Sequence, residues 1–327
     1  FTGSLFISGS SIALGGVNSN VIVGKNTNLN INPGSTGLTA IGLNAAGGNE
    51  GTELAGDDIT TIGSQAGRNM QQNPHRTTLV GSLAGGSLSV GIDNTFVGAL
   101  AGYQLTVADR NVFVGSKAGY QTVDVDNAVI IGYQAGYSNM TSAADATVAI
   151  GKEAGYSLTS GGENAFLGYR AGYSLTTGTK NTFLGYYAGS QAEDDSNNTF
   201  VGRYAGTNVE SDENTFIGTE AGAGVQGTTV GSQNTSIGYR SMYNHTTANK
   251  NVAVGDQALK SLTTGNSNVS IGMRASELND VGGNTVHIGT EAGRYATGSS
   301  NVFIGSNAGK GGQTSAPYSS GGDNVAI

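Results

Sequence analysis

The chain has 327 residues, of which 55 are Gly, and it contains neither Cys nor Trp. Glycine is therefore about 17% of the sequence, against ~7% in average proteins, and the absence of Cys excludes a disulfide framework and thiol chemistry. The net charge of −8 argues against nucleic-acid binding, and the sequence has no apolar run of about 18 residues that predicts a membrane span.

The first 91 residues contain a loose repeat in which an aliphatic residue precedes a Gly. Its copies end at Gly15, Gly24, Gly42, Gly63 and Gly81, and the intervals between them are irregular. Gly disfavours the interior of a helix by ~1 kcal/mol relative to Ala. We therefore interpret residues 1–91 as an irregular β-repeat segment.

A regular motif, N-x-Φ-Φ-G-x-x-A-G with Φ an apolar residue, occupies residues 92–327. Its strand-ending glycines, such as Gly98, Gly115 and Gly168, recur with a period of about 17 residues. Repeats of this kind are stabilised by stacking on their neighbours, which predicts a solenoid. The last copy stops at Ile327, one residue before its Gly, so we expect the native polypeptide to continue.

Each copy predicts a strand with apolar side chains on both faces. The residue before the Gly is aliphatic, as at Val97, Val114, Ile131 and Leu167. The residue before that one points to the opposite face and is often Phe, as at Phe96, Phe113, Phe166, Phe183, Phe200, Phe216 and Phe303. An exposed Phe ladder of this length would exceed the apolar patch that monomers tolerate. We therefore predict that the Phe face contacts another sheet or another subunit, most simply in a filament with cyclic symmetry.

Polar and aromatic residues recur in the remaining part of the repeat. Asn precedes the strand in ten of the thirteen copies that end between Gly98 and Gly305, where it can cap the strand, hold a left-handed turn or form a ladder. A Tyr often follows the second Gly, as at Tyr103, Tyr120, Tyr137, Tyr156 and Tyr173. These rigid, amphipathic rings are candidate contacts for carbohydrate or protein, and a stacked ladder that supports the coil is the favoured alternative. A repeat of this length accommodates two strands of about five residues and two turns, which predicts a two-sided β-roll.

The N-x-Φ-Φ-G repeat resembles the head repeats of the YadA-like trimeric autotransporter adhesins. The segments Asn251-Val-Ala-Val-Gly255 and Asn268-Val-Ser-Ile-Gly272 come nearest to that pattern, and the longer form also resembles repeats of phage tail fibres and bacterial surface fibres. The resemblance implies an all-β, left-handed parallel β-roll that forms a homotrimer. It also implies an extracellular location on a cell or virion and attachment to a surface glycan or protein receptor. The chain departs from the adhesin pattern in its longer period and in the Phe at mid-strand.

The sequence predicts neither a catalytic site nor a cofactor site. His287 stands at the mid-strand position and is interpreted as a packed residue, whereas His75 and His245 lie in polar stretches and are predicted to be solvated. Acidic residues cluster in predicted loops, where solvated turns are the favoured interpretation and calcium ligands the alternative. These residues are Asp57 and Asp58, Asp124 and Asp126, Glu193 to Asp195, and Glu210, Asp212 and Glu213.

We therefore expect a structural fibre or adhesin without catalytic activity. Three alternatives stay open: a viral or secreted β-helical glycan depolymerase, an acyltransferase with hexapeptide repeats, and an ice-binding solenoid. The acyltransferase fold needs three hexads per coil, and each copy here offers one. An ice-binding face needs flat Thr ladders, and the Thr column that begins the strands is interrupted at Val112, Val129, Val148, Ala165 and Val252.

Overall fold

A computed structural model describes residues 20–24, 32, 34–47, 54–71, 74–311 and 322–327, and the predicted copy that ends at Gly15 lies outside them. Within these residues the chain forms eighteen short strands and one 3-10 turn, Ser142–Ala144. In chain order the strands are β1 (Val21–Val23), β2 (Thr39–Ile41), β3 (Thr60–Ile62), β4 (Thr78–Val80), β5 (Thr95–Val97), β6 (Val112–Val114), β7 (Val129–Ile131), β8 (Val148–Ile150), β9 (Ala165–Leu167), β10 (Thr182–Leu184), β11 (Thr199–Val201), β12 (Thr215–Ile217), β13 (Thr235–Ile237), β14 (Val252–Val254), β15 (Val269–Ile271), β16 (Val286–Ile288), β17 (Val302–Ile304) and β18 (Val325–Ala326).

The strands form one parallel sheet in which each strand pairs with the next along the chain. The pairing keeps the repeat in register, so that Thr95–Val97 lies directly beside Val112–Val114. Strands β1 to β4, which come from the loose N-terminal copies, belong to the same sheet. The prediction of an all-β parallel solenoid, with coils of about 17 residues, is confirmed.

Each coil contains one short strand, instead of the two strands that we predicted. The other side of the coil makes isolated bridges, such as Val90 with Val107. Glycine ends the strand, since Gly115 has a φ of +131° and a Cβ there would lie 2.6 Å from the carbonyl oxygen of Gly132. Only a residue without a side chain combines this φ with so close a backbone approach, so the strand stops at this position.

Two further positions hold a left-handed backbone in most coils, even where the residue is not Gly. One lies two residues after the strand-ending Gly, as at Lys117, and the other precedes the Asn, as at Arg110; both have a φ of +59°. A free chain disfavours this conformation by roughly 1–2 kcal/mol per residue. In the solenoid, the N–H of Lys117 donates to the carbonyl oxygen of Ala99 and that of Arg110 to Ile92, both at 2.9 Å. Stacking on the preceding coil therefore stabilises turns that a single repeat would not hold.

The mid-strand residue points into the coil, so the Phe face packs within the chain and is not available to another subunit. All seven predicted Phe residues are buried, and successive rings stack inside the solenoid with centroids 4.8 to 5.5 Å apart. Space for each ring comes from the Gly of the A-G pair, because a Cβ at Gly119 would lie 2.5 Å from Cε2 of Phe113. The interior of a coil thus accommodates one large side chain from the strand when the facing positions are Ala and Gly.

In two coils whose mid-strand residue is small, a larger residue replaces this Gly. Met242 lies six residues after Ser236, and Leu259 lies six residues after Ala253, at the position that Gly119 takes relative to Phe113. Both replacements are fully buried and hold a left-handed backbone, with φ values of +48° and +50°. In these two coils the larger residue fills the interior space that the Phe ring occupies elsewhere, as the close packing of protein cores requires.

Buried Asn side chains form a ladder at the start of the strands. The backbone N–H of Asn181 donates to the Oδ1 of Asn164 at 2.9 Å, and the backbone N–H of Asn198 donates to the Oδ1 of Asn181 at 3.0 Å. The Nδ2 of Asn181 donates to the carbonyl oxygen of Asp195 at 2.6 Å. Of the roles considered for this Asn, the structure shows the ladder. The same pattern recurs at Asn111, Asn234, Asn251 and Asn268.

Among the described residues, no helix has the length and apolar character needed to cross a bilayer.

Candidate functional site

The last residue of each strand points away from the interior of the coil. In the predicted set, Val97 is 36% and Leu167 is 47% exposed, and Val114 and Ile131 are half-buried. The first residue of each strand, which is Thr, Val or Ala, also points outward. We call these two columns the outer sheet face. Its strand-ending column contains Ile41, Ile62, Val80, Val97, Val114, Ile131, Ile150, Leu167, Leu184, Val201, Ile217, Ile237, Val254, Ile271, Ile288 and Ile304.

The five predicted Tyr residues form a continuous ladder beside the coil. Adjacent rings from Tyr103 to Tyr173 stack with centroids 4.9 to 5.5 Å apart and interplanar angles of 2° to 21°. Each ring therefore covers a face of its neighbour, so the faces inside the ladder contact other Tyr rings. A role of these residues in receptor binding stays a prediction.

A second group of aromatic and cationic side chains follows the strand-ending Gly in five successive coils. It contains Tyr133, Lys152, Tyr169, Arg170, Tyr186 and Arg203, and we call it the Tyr–Arg patch. We did not predict this patch from the sequence. Aligning the two positions after each strand-ending Gly would have shown it, since the first of them is Ser, Ala or Thr in many other coils, as at Ser64, Ser82, Ala99, Ser116, Thr219 and Thr290.

Glu153 anchors the cations at the centre of this patch. Its carboxylate lies 2.5 Å from Nε of Arg170 and 3.3 Å from Nζ of Lys152, and its side chain is only 9% exposed. Burial opposes the charged form, but the hydrogen bonds from Arg170 and Lys152 prevail and hold the pKa of Glu153 below its usual range. The contact with Glu153 raises the pKa of Arg170, so this pair stays charged across the physiological range.

The predicted acidic loops contain one buried carboxyl group, that of Asp195. Burial is the main cause that raises its pKa to about 7, and the nearby carboxylates of Asp212 and Glu210 add to the shift. Its Oδ2 atom is buried without a hydrogen-bond partner. The neighbouring Asp194 is exposed, and hydrogen bonds from Thr176 and Thr177 hold its pKa below the usual value. Across the described residues, no three His, Asp or Glu side chains come together in an arrangement that could hold a metal ion.

The three His residues occupy different environments. His287 is buried and stacks on Phe303 at 4.8 Å, which confirms its interpretation as a packed residue. His75 is partly exposed, and its Nδ1 accepts a hydrogen bond from the backbone N–H of Asp57. The prediction of a solvated His245 is wrong, because this residue is fully buried. His245 lies eleven residues after Asn234, as the buried Leu175 does after Asn164. Aligning His245 with Leu175 would therefore have predicted that His245 is buried.

Asp195→Asn is expected to stabilise the solenoid by about 2 kcal/mol at pH 8 and to have little effect below pH 4. The folded-state pKa of Asp195, about 7, is above its unfolded value, so the favourable contribution is full in acid and is lost as the pH rises to about 7. The amide has the shape of the carboxylic acid but no charge to bury. Urea unfolding of both proteins at pH 3.5 and pH 8 measures the difference.

Asp194→Asn is the matched control for this substitution. Asp194 has a lowered pKa, so its contribution is present above its unfolded pKa and lost in acid; its neutralisation is expected to give no stabilisation at pH 8. Equal stabilisation by both variants would contradict the assignment of the buried charge to Asp195.

The buried residues His245 and His287 produce the opposite trend, because burial lowers the pKa of each to about 4. The native chain and the Asp195→Asn variant are therefore both expected to lose stability as the pH falls from about 6.5 to 4.

No protein-family model, curated protein or solved structure matches this chain. The resemblance to trimeric adhesin heads and fibre repeats therefore stays a prediction.

Proposed function

We propose that this chain is a segment of a homotrimeric fibre that extends from a cell or virion surface and mediates attachment. The role is structural and needs no catalytic site. It follows the resemblance to the trimeric adhesins and surface fibres, which also supplies the count of three subunits, the left-handed coil and the extracellular location. One observation carries the proposal: the outer sheet face has no partner within the described chain and is apolar or uncharged at every rung.

The outer sheet face has the size and chemistry of a subunit interface. Sixteen rungs from Ile41 to Ile304, with strands about 4.8 Å apart, give a strip about 70 Å long, and its two columns make it about 10 Å wide. The resulting area of about 700 Å² approaches the ~800 Å² per partner of a stable complex. Charged residues are depleted in the centre of interfaces, and neither outward column of strands β2 to β17 contains one.

Parallel copies of one chain meet this requirement most simply. Each rung presents the same residue types at the same spacing, so identical chains aligned along the rod match rung by rung. Cyclic symmetry then closes the assembly without leaving an unpaired face. The contacting residues differ from the sequence-based expectation, since the aliphatic column and not the Phe column is available to a second chain.

The double substitution Val254→Glu with Ile271→Glu is expected to weaken self-association by at least about 100-fold, because each interface would bury an unpaired carboxylate. The fold is expected to persist, since Val254 is half-buried and Ile271 is 38% exposed on the outer side of the sheet. Mass photometry and sedimentation over a concentration series measure the assembly, and circular dichroism checks the fold.

Thr247→Glu with Thr264→Glu is the matched control, because these exposed residues add the same charge on the loop side of neighbouring coils. The control is expected to assemble like the native chain. A native chain that stays monomeric at micromolar concentration would contradict the proposal. Equal assembly of the native chain and the Val254/Ile271 variant would contradict the assignment of this face as the interface.

An ice-binding surface is the second candidate, because the first column of the outer sheet face contains two uninterrupted Thr runs. Four Thr residues lie side by side in β2 to β5 and four more in β10 to β13, with Val or Ala in the strands between and after them. This function needs the same face to be free in solution. A monomeric chain with thermal hysteresis would favour it, and a trimer without hysteresis would exclude it.

A further inference from the structure

The Tyr–Arg patch lies beside the outer sheet face, where each coil turns after its strand. Counting along the rod, the first position after the strand-ending Gly is Tyr133, Lys152, Tyr169, Tyr186 and Arg203 in turn. Strands stack about 4.8 Å apart, so these five coils span about 20 Å. The patch is therefore a linear array in which rings and cations succeed one another along the rod axis.

The rings of the patch are accessible and are held in place by cations. Tyr133 is 47% and Tyr186 is 44% exposed. The Nζ of Lys152 lies 5.9 Å from the ring centre of Tyr133 and 5.5 Å from that of Tyr169, which in turn stacks on Tyr186 at 5.2 Å. The guanidinium group of Arg203 lies 5.9 Å from the ring of Tyr186. These cation–π contacts orient the side chains before any ligand arrives.

The cations of the patch retain capacity for an anionic ligand. Glu153 pairs with Arg170 and Lys152. Glu220 pairs with Arg240 at 2.6 Å and lies 3.6 Å from Arg203, so four cations face two carboxylates. The side chains of Lys152 and Arg203 are 49% and 55% exposed, and each has more N–H donors than these contacts use. The chain as a whole has a net charge of −8, so this local excess of positive charge contrasts with an acidic rod.

We propose that the Tyr–Arg patch binds an anionic polysaccharide whose sugar rings carry carboxylate or sulfate groups. The exposed Tyr rings pack against the apolar faces of successive sugar rings, and Lys152 and Arg203 donate charge-assisted hydrogen bonds to the acidic groups. A linear array of this length, about 20 Å, suits an extended polymer. The inference rests on the proposed attachment function, for which it names the class of receptor.

Single-stranded nucleic acid also combines flat rings with negative charge, but the observations favour the glycan. Nucleic-acid affinity depends on a basic surface that neutralises many phosphates. The patch offers three cations, two carboxylates lie among them, and the rest of the rod is acidic. Its array of rings and few charges matches a polymer with spaced acidic groups.

Binding of the intact chain to immobilised heparin, polygalacturonate and dextran tests the inference, with single-stranded oligothymidylate as a fourth probe. The test variant is Lys152→Ser with Tyr186→Ser, since Ser occupies this column at Ser64, Ser82 and Ser116. The control is Tyr239→Ser with Lys250→Ser, which removes the same two residue types outside the patch. Tyr239 is similarly exposed, and the column of Lys250 contains Ser267 and Ser300 with the same left-handed backbone.

The native chain and the control are expected to bind heparin or polygalacturonate and not dextran, and the test variant is expected to bind at least about tenfold more weakly. Equal loss in both variants, equal binding of dextran, tighter binding of oligothymidylate, or binding to neither anionic glycan would overturn the inference. The oligomeric state distinguishes failure of this inference from failure of the proposed trimeric fibre. A trimer that binds neither glycan contradicts this inference alone, and a monomer that binds one through the patch contradicts the trimer alone.

Discussion

Gly206→Met is expected to destabilise the solenoid by about 3 kcal/mol or more, and adding Phe200→Ser is expected to recover much of that loss. A Cβ at Gly206 would lie 2.5 Å from Cδ2 of Phe200, which has no space to move within a packed coil. Phe200→Ser alone is expected to cost about 3–5 kcal/mol, because it leaves a cavity. The double variant reproduces the pair Ser236 and Met242, which this chain already accommodates. Urea unfolding of the four proteins measures the coupling energy, expected to be at least about 2 kcal/mol.

Gly202→Met is the matched control for this cycle. Gly202 ends a strand with a φ of +137°, and a Cβ there would meet the backbone carbonyl of Gly218, which truncating a side chain cannot move. The effects of Gly202→Met and Phe200→Ser are therefore expected to add without compensation. Additive effects of Gly206→Met and Phe200→Ser would contradict the packing argument, because they would mean that the two positions do not share one space.

Asn181→Asp is expected to destabilise the solenoid by about 3–5 kcal/mol at pH 7. The substitution replaces the Nδ2 group that donates to the carbonyl oxygen of Asp195 with a carboxylate oxygen, and it buries a charge among oxygen atoms. Protonation of the new carboxyl group restores a donor, so the loss is expected to shrink in acid. Thermal and urea unfolding at pH 4 and pH 7 measure the effect.

Asn249→Asp tests whether burial in the ladder is the cause. Asn249 belongs to a more exposed ladder, where its Oδ1 accepts a hydrogen bond from the backbone N–H of Ser232. Asp109 and Asp126 already hold the equivalent position and accept the equivalent bonds. The substitution is expected to change stability by less than about 1 kcal/mol. A similar loss for Asn181→Asp and Asn249→Asp would contradict the role of the buried ladder.

The amide ladder and the strand-ending Gly could be predicted from the sequence, because both depend on local geometry. A short strand followed by Gly needs no knowledge of distant parts of the chain, and stacking at one period aligns Asn181 with Asn164 and Asn198. The number of strands per coil could not be predicted from the sequence. The second half of each coil is formed by left-handed residues such as Lys117 and Arg110, whose side chains give no local signal for that backbone.

Which face of the strand lies inside depends on the closed coil. Alternation places Phe113 and Val114 on opposite sides, and hydrophobicity favours burial of both. The decisive fact is the match between Phe113 and Gly119, which share one space inside the coil. The sequence contains that match in another form, since Ser236 pairs with Met242 where Phe113 pairs with Gly119. Comparing these two columns would have placed the Phe inside.

The regular repeat, with its glycines and its aliphatic column, determines by itself that the chain stacks into a parallel solenoid, because each of those features acts within one coil or between adjacent coils. The tertiary structure decided the properties that depend on the direction of side chains from a closed coil. It placed Phe113 inside and Val114 outside, buried His245 and Asp195, and aligned the Tyr–Arg patch along one edge. Each of these outcomes requires the path of the whole turn, since the turn fixes which side of the backbone faces the interior.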